Sequence, residues 1–192
     1  MCRLFGFRSI THSQIHHSLL NAENALVSQS VRHPDGWGIA YYLQNIPHII
    51  KSTDAAIEDQ LFKRLSGVVT SNTVLAHLRK ATIGQNTLTN CHPFQFGSWT
   101  FAHNGNIKNF EHIKERILEK IPAGFAKYIL GKTDSEVIFM YLISGVMAAD
   151  GQYKYQDASK QSLVAAIRNR IKTLIKLVGQ VCTNPDKGNK ET

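Results

Sequence analysis

The sequence predicts an α+β fold, with strands and helices interspersed along one chain, and three observations carry that reading. Short β-prone runs at 39–43, 48–52, 73–82 and 98–102 are bounded by Gly, Pro and Asn turn residues. Apolar residues recur at helical spacing through 14–30, 109–120, 133–149 and 158–180. With 192 residues, 43% of them hydrophobic, the chain has enough apolar material for one domain with a sizeable core. That domain is read as 1–180, followed by a polar tail at 181–192. No apolar run reaches the roughly 18 residues needed to span a bilayer, and the N-terminus lacks the basic-then-apolar order of a secretory signal. A cytoplasmic protein without membrane association is expected.

Taken in order, residues 3–9 form a strand with Cys2 at its leading end. Ile15, Leu19, Leu20, Leu26 and Val27 then predict a helix over 14–30. His12 and His16 would stand one turn apart at its start, but no third ligand is close in sequence, so they read as exposed histidines and not as a metal site. Arg32-His33-Pro34-Asp35-Gly36-Trp37-Gly38 is a dense turn signal leading into the strand 39–43, which a strand at 48–52 pairs. A short helix over 54–65 follows, then the strand 73–82, which ends on Arg79 and Lys80. After a polar loop, Cys91-His92-Pro93-Phe94 leads into the strand 98–102, which stops at His103-Asn104-Gly105. Helices at 109–120, 133–149 and 158–180 complete the chain, and Thr133 with Glu136 has the spacing of a capping box.

The formal charge of +8 owes much to residues after position 150, where Lys160, Arg168, Arg170, Lys172 and Lys176 outnumber the acids. Without aromatic interleaving or a recognised motif, this reads as a solvated basic helix face and not as a nucleic-acid binder. Cys2, Cys91 and Cys182 are widely separated and odd in number, which fits neither a disulfide framework nor a zinc motif. A reducing compartment, no metal and no cofactor are expected.

Cys2 directly follows the initiator Met. Once Met1 is removed, Cys2 would carry a thiol and a free α-amine on the same carbon, a nucleophile with a built-in base. Taken alone it reads equally as a small buried residue at a strand end. Arg79, closing a buried strand, needs an anionic partner, either a ligand carboxylate or a structural ion pair. Asn104-Gly105 reads either as a type I′ hairpin turn or as a pair of donors, side-chain amide and backbone N–H, aimed at one oxygen. Asp134 is a favourable negative charge in a first helical turn whatever else it does.

In combination and in this order, Met1-Cys2, His33-Pro34-Asp35-Gly36-Trp37-Gly38, Ala76-His77-Leu78-Arg79-Lys80-Ala81-Thr82, His103-Asn104-Gly105 and Thr133-Asp134-Ser135-Glu136 resemble the class II glutamine amidotransferases, in their compact stand-alone branch. The resemblance covers roughly residues 2–145. It implies an N-terminal-nucleophile fold, an αββα sandwich of two stacked antiparallel sheets between helical layers. It implies Cys2 as nucleophile with its own amine as base and acid, and Asn104 with Gly105 as the oxyanion hole. Arg79 would bind the α-carboxylate of glutamine and Asp134 its α-ammonium. His33, Gly36, Trp37, Thr82 and His103, which lie in the same motifs, would shape the pocket. A zwitterionic head group requires one cation and one anion a few ångströms apart, and Arg79 with Asp134 supplies that pair.

The expected activity is hydrolysis of the γ-amide of glutamine through a thioester, with free glutamine the default small-molecule substrate. Alternatives are a larger γ-glutamyl peptide or metabolite, transfer of ammonia to a partner enzyme, or a catalytically silent binding module. The last is prompted by the absence of a β-rich segment after the basic helix, which leaves the expected sandwich incomplete at the C-terminus.

Overall fold

A computed structural model describes residues 2–82, 84–148, 152, 154 and 159–179, so the proposed tail at 181–192, with Cys182, lies outside the described residues. The chain forms two compact units, Met1–Asn106 with Ile129–Phe139, and Ile107–Tyr128 with Met140–Thr192.

The first unit is built on an antiparallel sheet of order β1-β4-β2-β3, comprising β1 (Arg3–Gln14), β2 (Trp37–Leu43), β3 (Ile46–Ser52) and β4 (Thr70–Leu78). Gln44 and Asn45 both take positive φ, 49° and 66°, which closes the β2–β3 hairpin with a two-residue turn matched to strand twist. The period-two alternation of β2 decides its packing. Trp37 and Ile39 join Phe62, Val74, Ala76 and Leu78 in the main core, beneath α1 (Leu26–Gln29) and α2 (Gln60–Val68). Gly38 faces the other way, and a Cβ there would collide with the His92 carbonyl oxygen. A second sheet, β5 (Phe94–Phe96) with β6 (Trp99–Phe101), lies beyond that contact. On it rests the start of α5 (Asp134–Ser144), where Phe139 stacks on Phe101 at a centroid distance of 5.3 Å. Helix, sheet, sheet and helix thus succeed one another within this unit.

The second unit holds α3 (Phe110–Leu118), α4 (Ala123–Ala126), the end of α5 and α6 (Lys160–Val178). Arg170 of α6 donates to the Tyr141 carbonyl from Nε at 3.1 Å and from a terminal nitrogen at 2.6 Å, satisfying a last-turn acceptor of α5. Its guanidinium also lies 3.8 Å from the Tyr141 ring centroid.

Several elements differ from expectation. The helix expected over 14–30 is absent: β1 runs on to Gln14, a π turn covers His17–Asn21, and only Leu26–Gln29 is α-helical. Ala22 is extended, with its N–H returned to the His17 carbonyl at 2.8 Å, so Ile15, Leu19 and Leu26 reach the core as separate short pieces. His12 therefore lies on a strand, and His16 Nδ1 meets the Ser66 hydroxyl at 3.3 Å instead. The helix read over 54–65 begins at Gln60, where the Asp59 carboxylate accepts the Leu61 N–H at 2.7 Å. The β5 strand was not anticipated. Among the described residues no strand follows Asn104-Gly105, and Gly105 lies outside the positive-φ region, so the hairpin alternative falls. At α5 half of the capping box forms: Thr133 Oγ1 accepts the Glu136 N–H at 3.3 Å. The Glu136 carboxylate instead takes the Leu130 and Gly131 N–H groups, at 3.1 and 2.6 Å. Burial nevertheless pushes that carboxyl up.

Candidate active site

The site begins at the paired ends of β1 and β4. Their register sets Arg3 opposite Leu78, so Cys2 comes alongside the residues that leave β4. Cys2 Sγ lies 3.3 Å from the Lys80 backbone nitrogen, whose N–H points to it, and 3.5 Å from the Lys80 carbonyl oxygen.

The His33–Gly38 turn is zipped to the same strand end. Arg79 N–H donates to the Gly36 carbonyl at 2.8 Å, Asp35 N–H to the Arg79 carbonyl at 3.2 Å, and Ala81 N–H to Asp35 Oδ2 at 2.8 Å. Gly36 sits at φ 109°, and a Cβ there would stand 2.7 Å from the Ser52 carbonyl and 2.9 Å from Cys91 Sγ. Only glycine fits this turn. Buried Cys91, its thiol pushed up by burial, is a packing residue at this contact.

Arg79 is 3% exposed, and its guanidinium donates to Asn86 Oδ1 at 3.3 Å and to the Gly84 carbonyl at 3.1 Å. Asn86 is tied in turn to the Thr53 carbonyl at 3.1 Å. Asp134, equally buried, accepts the Ser135 hydroxyl at 3.1 Å, and that hydroxyl lies 3.1 Å from His103 Nδ1.

With them goes a group of imidazoles, His33, His77 and His92 buried and His103 half-buried. The His77 and His92 ring centroids lie 4.2 Å apart with the rings tilted by 35°, and among the described residues none of their ring nitrogens has a hydrogen-bond partner in good geometry. The His103 backbone, near enough to favour a proton on His77, falls short of that geometry. Burial, followed by the Arg79, His103 and His33 charges, lowers His77 to about 4. Burial also lowers His33, His92 and His103, while the Asp134 carboxylate pulls His103 partly back. Arg79, His33, His103 and Asp134 are thus all within Coulombic reach of this neutral histidine group.

The other expected residues divide. Asn104 and Gly105 are exposed, directly after His103, and Thr82 lies on an exposed bend beyond Ala81. Trp37 is elsewhere: fully buried, edge-on to Phe62 at 5.0 Å, its indole N–H on Asp59 at 2.9 Å. Its neighbours Gly36 and Gly38 serve the site's side of the sheet, and strand alternation sends Trp37 to the core. The sequence reading missed the Lys80 main chain, Asn86 and Ser135, and carried Asp35 only as part of the pocket-shaping turn around His33–Gly38. Asp35 and Ser135 stood inside quoted motifs, but nothing in residue type revealed partners as distant in sequence as Ala81 and His103.

Residues 1–178 match the family model for glutamine amidotransferases, class II. The chain is 32% identical over 174 residues to the Saccharomyces cerevisiae protein named "Probable glutamine amidotransferase DUG3", covering 82% of this chain and 49% of that relative. Among solved structures, a glutamine aminotransferase class-II domain protein from Silicibacter pomeroyi superposes with a TM-score of 0.60 at 22% identity, over 94% of this chain and 68% of that one. The glutamine phosphoribosylpyrophosphate amidotransferase of B. subtilis superposes with a TM-score of 0.58 at 18% identity, over 90% of this chain and 33% of that one. These likenesses show the N-terminal-nucleophile fold, and the chain spans about half the length of the yeast relative. With the family model matched over nearly the whole described chain, this protein belongs to the class II glutamine amidotransferases.

Proposed function

We propose that the protein hydrolyses the γ-amide of glutamine through a thioester on Cys2 after removal of Met1. The observation that carries this reading is the seat of Cys2 Sγ on the Lys80 peptide, immediately beside Arg79 at the end of β4. A nucleophile and a carboxylate-binding cation leave the same strand end, as an amide substrate with a charged head group requires.

In this mechanism Arg79 takes the α-carboxylate of glutamine and Asp134 its α-ammonium, which aligns the side-chain amide with Cys2. The sulfur attacks the amide carbon, and its proton passes to the Cys2 α-amine. Asn104 side-chain N–H and Gly105 backbone N–H receive the oxyanion, a contribution worth about 10²- to 10³-fold per donor in comparable acyl-transfer sites. The C–N bond breaks as the protonated Cys2 α-amine returns the proton to the departing ammonia. Water then adds to the thioester with the same amine as base, and glutamate leaves with the thiol restored. Trp37 supports the turn from the core in this scheme and does not touch substrate.

Glutamate release by the purified protein, together with the intact mass of its N-terminus, tests the proposal. Cys2→Ala should abolish release, and wild-type protein should lack Met1. Release that survives Cys2→Ala overturns it.

A further inference from the structure

We propose that Ser135 is a positioning residue, joining Asp134 to His103 in a hydrogen-bonded relay that sets the His103 ring against the Gly105 turn. The inference rests on the functional reading above for what the turn does, but the relay itself rests on geometry.

The Ser135 hydroxyl is buried, 3.1 Å from Asp134 Oδ1 and 3.1 Å from His103 Nδ1. It has one proton to give. A carboxylate accepts and an imidazole nitrogen can do either, so the proton goes to Asp134 and the serine oxygen accepts from His103 Nδ1–H. This fixes the ring as the Nδ1–H tautomer and fixes its rotation about the Cβ–Cγ bond. Phe101 lies nearly parallel to the ring at 6.3 Å, bounding one face.

The free edge of the ring then determines what fits beside it. A Cβ on Gly105 would stand 2.7 Å from His103 Nε2 and 3.0 Å from Cε1. The imidazole is therefore a backstop for the main chain of residue 105, which only a residue without a side chain can approach. Ser135 holds the backstop, and the Asp134 proposed for the substrate ammonium holds Ser135. One carboxylate thus anchors both the substrate head group and the turn that receives the oxyanion. A turn released from its backstop loses the alignment on which such donors depend, a loss of about tenfold to a hundredfold for displacements near 1 Å.

The test uses the full chain labelled with 15N-histidine. Long-range 1H–15N spectra report the His103 tautomer, assigned by the signal missing from His103→Gln. The wild type and Ser135→Thr should show Nδ1–H, and Ser135→Ala should shift toward Nε2–H. In glutamine hydrolysis, Ser135→Ala should lower kcat about tenfold with KM changed less than about twofold, and Ser135→Thr should restore it. An Nε2–H tautomer in the wild type, or an unchanged kcat or tautomer in Ser135→Ala, overturns the proposal. Should Ser135→Ala not fold, the wild-type tautomer and the Ser135→Thr rate still decide it. A tautomer shift in Ser135→Ala, with a wild type that shows Nδ1–H but releases no glutamate, upholds the relay and overturns the functional reading instead.

Discussion

Asp35 Oδ2 accepts the Ala81 N–H at 2.8 Å, bridging the glycine turn to the strand end whose next peptide group contacts the Cys2 sulfur. The sequence motif around His33–Gly38 is thus a clamp on the Lys80–Ala81 main chain as well as a way into β2. Asp35→Ala hands that exposed N–H to water, at a cost of about 0.5–1.5 kcal/mol in urea unfolding. The loosened peptide should also lower kcat/KM for glutamine on the order of tenfold. A variant that unfolds earlier but turns over normally would show that the clamp is structural alone.

Arg79 offers a sharper separation of binding from chemistry. Its fork is held by Asn86 and Gly84 on two different acceptors, a geometry that a single ammonium cannot reproduce. Arg79→Lys keeps the charge and loses the fork. The expected result is a KM for glutamine raised about tenfold or more with kcat little changed. An unaltered KM would remove Arg79 from the carboxylate role.

What the sequence disclosed followed from how local the signal was. Cys2, Arg79 and Asp134 stand out through the order of the motifs that hold them, since an acid in a first helical turn or a cysteine at a strand end is ordinary taken alone. The Asp35–Ala81 and Ser135–His103 links join residues 46 and 32 apart, and no local pattern encodes such pairs. The 14–30 helix failed because Ile15, Leu19 and Leu26 meet the core from a broken path, where packing outweighs a modest helical preference. The three-residue strand β5 is too short to show alternation. Trp37 was misplaced in the pocket because its motif was read as one unit, whereas strand alternation sends it to the core face, away from the side that Gly36 and Gly38 serve.

The sheet contact at Gly38 predicts opposite outcomes for two glycines on the same face of the four-stranded sheet. A methyl group at Gly38 meets the backbone of His92, which has no flexible end to move aside. Gly38→Ala should therefore cost about 1–3 kcal/mol or more. A Cβ at Gly6, on β1, meets only ordinary contacts at 3.5 Å, and Gly6→Ala should stabilise by about 0.4–1 kcal/mol through the unfolded chain. Urea midpoints measure both, and equal shifts of the two variants would contradict the close approach at His92.

The buried histidines predict how stability depends on acid. His77 titrates at about 4 in the folded protein against 6.5 as the ordinary value, because burial disfavours its charged form. Above pH 6.5 both folded and unfolded chains hold it neutral, and the site contributes no pH dependence. As pH falls from 6.5 toward 4 the unfolded chain binds a proton that the folded chain refuses, so stability drops with acid. For His77 this amounts to about 3 kcal/mol across the window. His33, His92 and His103, lowered in the same direction, add to the loss. Urea unfolding from pH 7 to 4 should show His77→Gln losing stability less steeply than the wild type. Parallel curves for the two proteins would mean that His77 is charged or solvated in the folded state and not held neutral by burial.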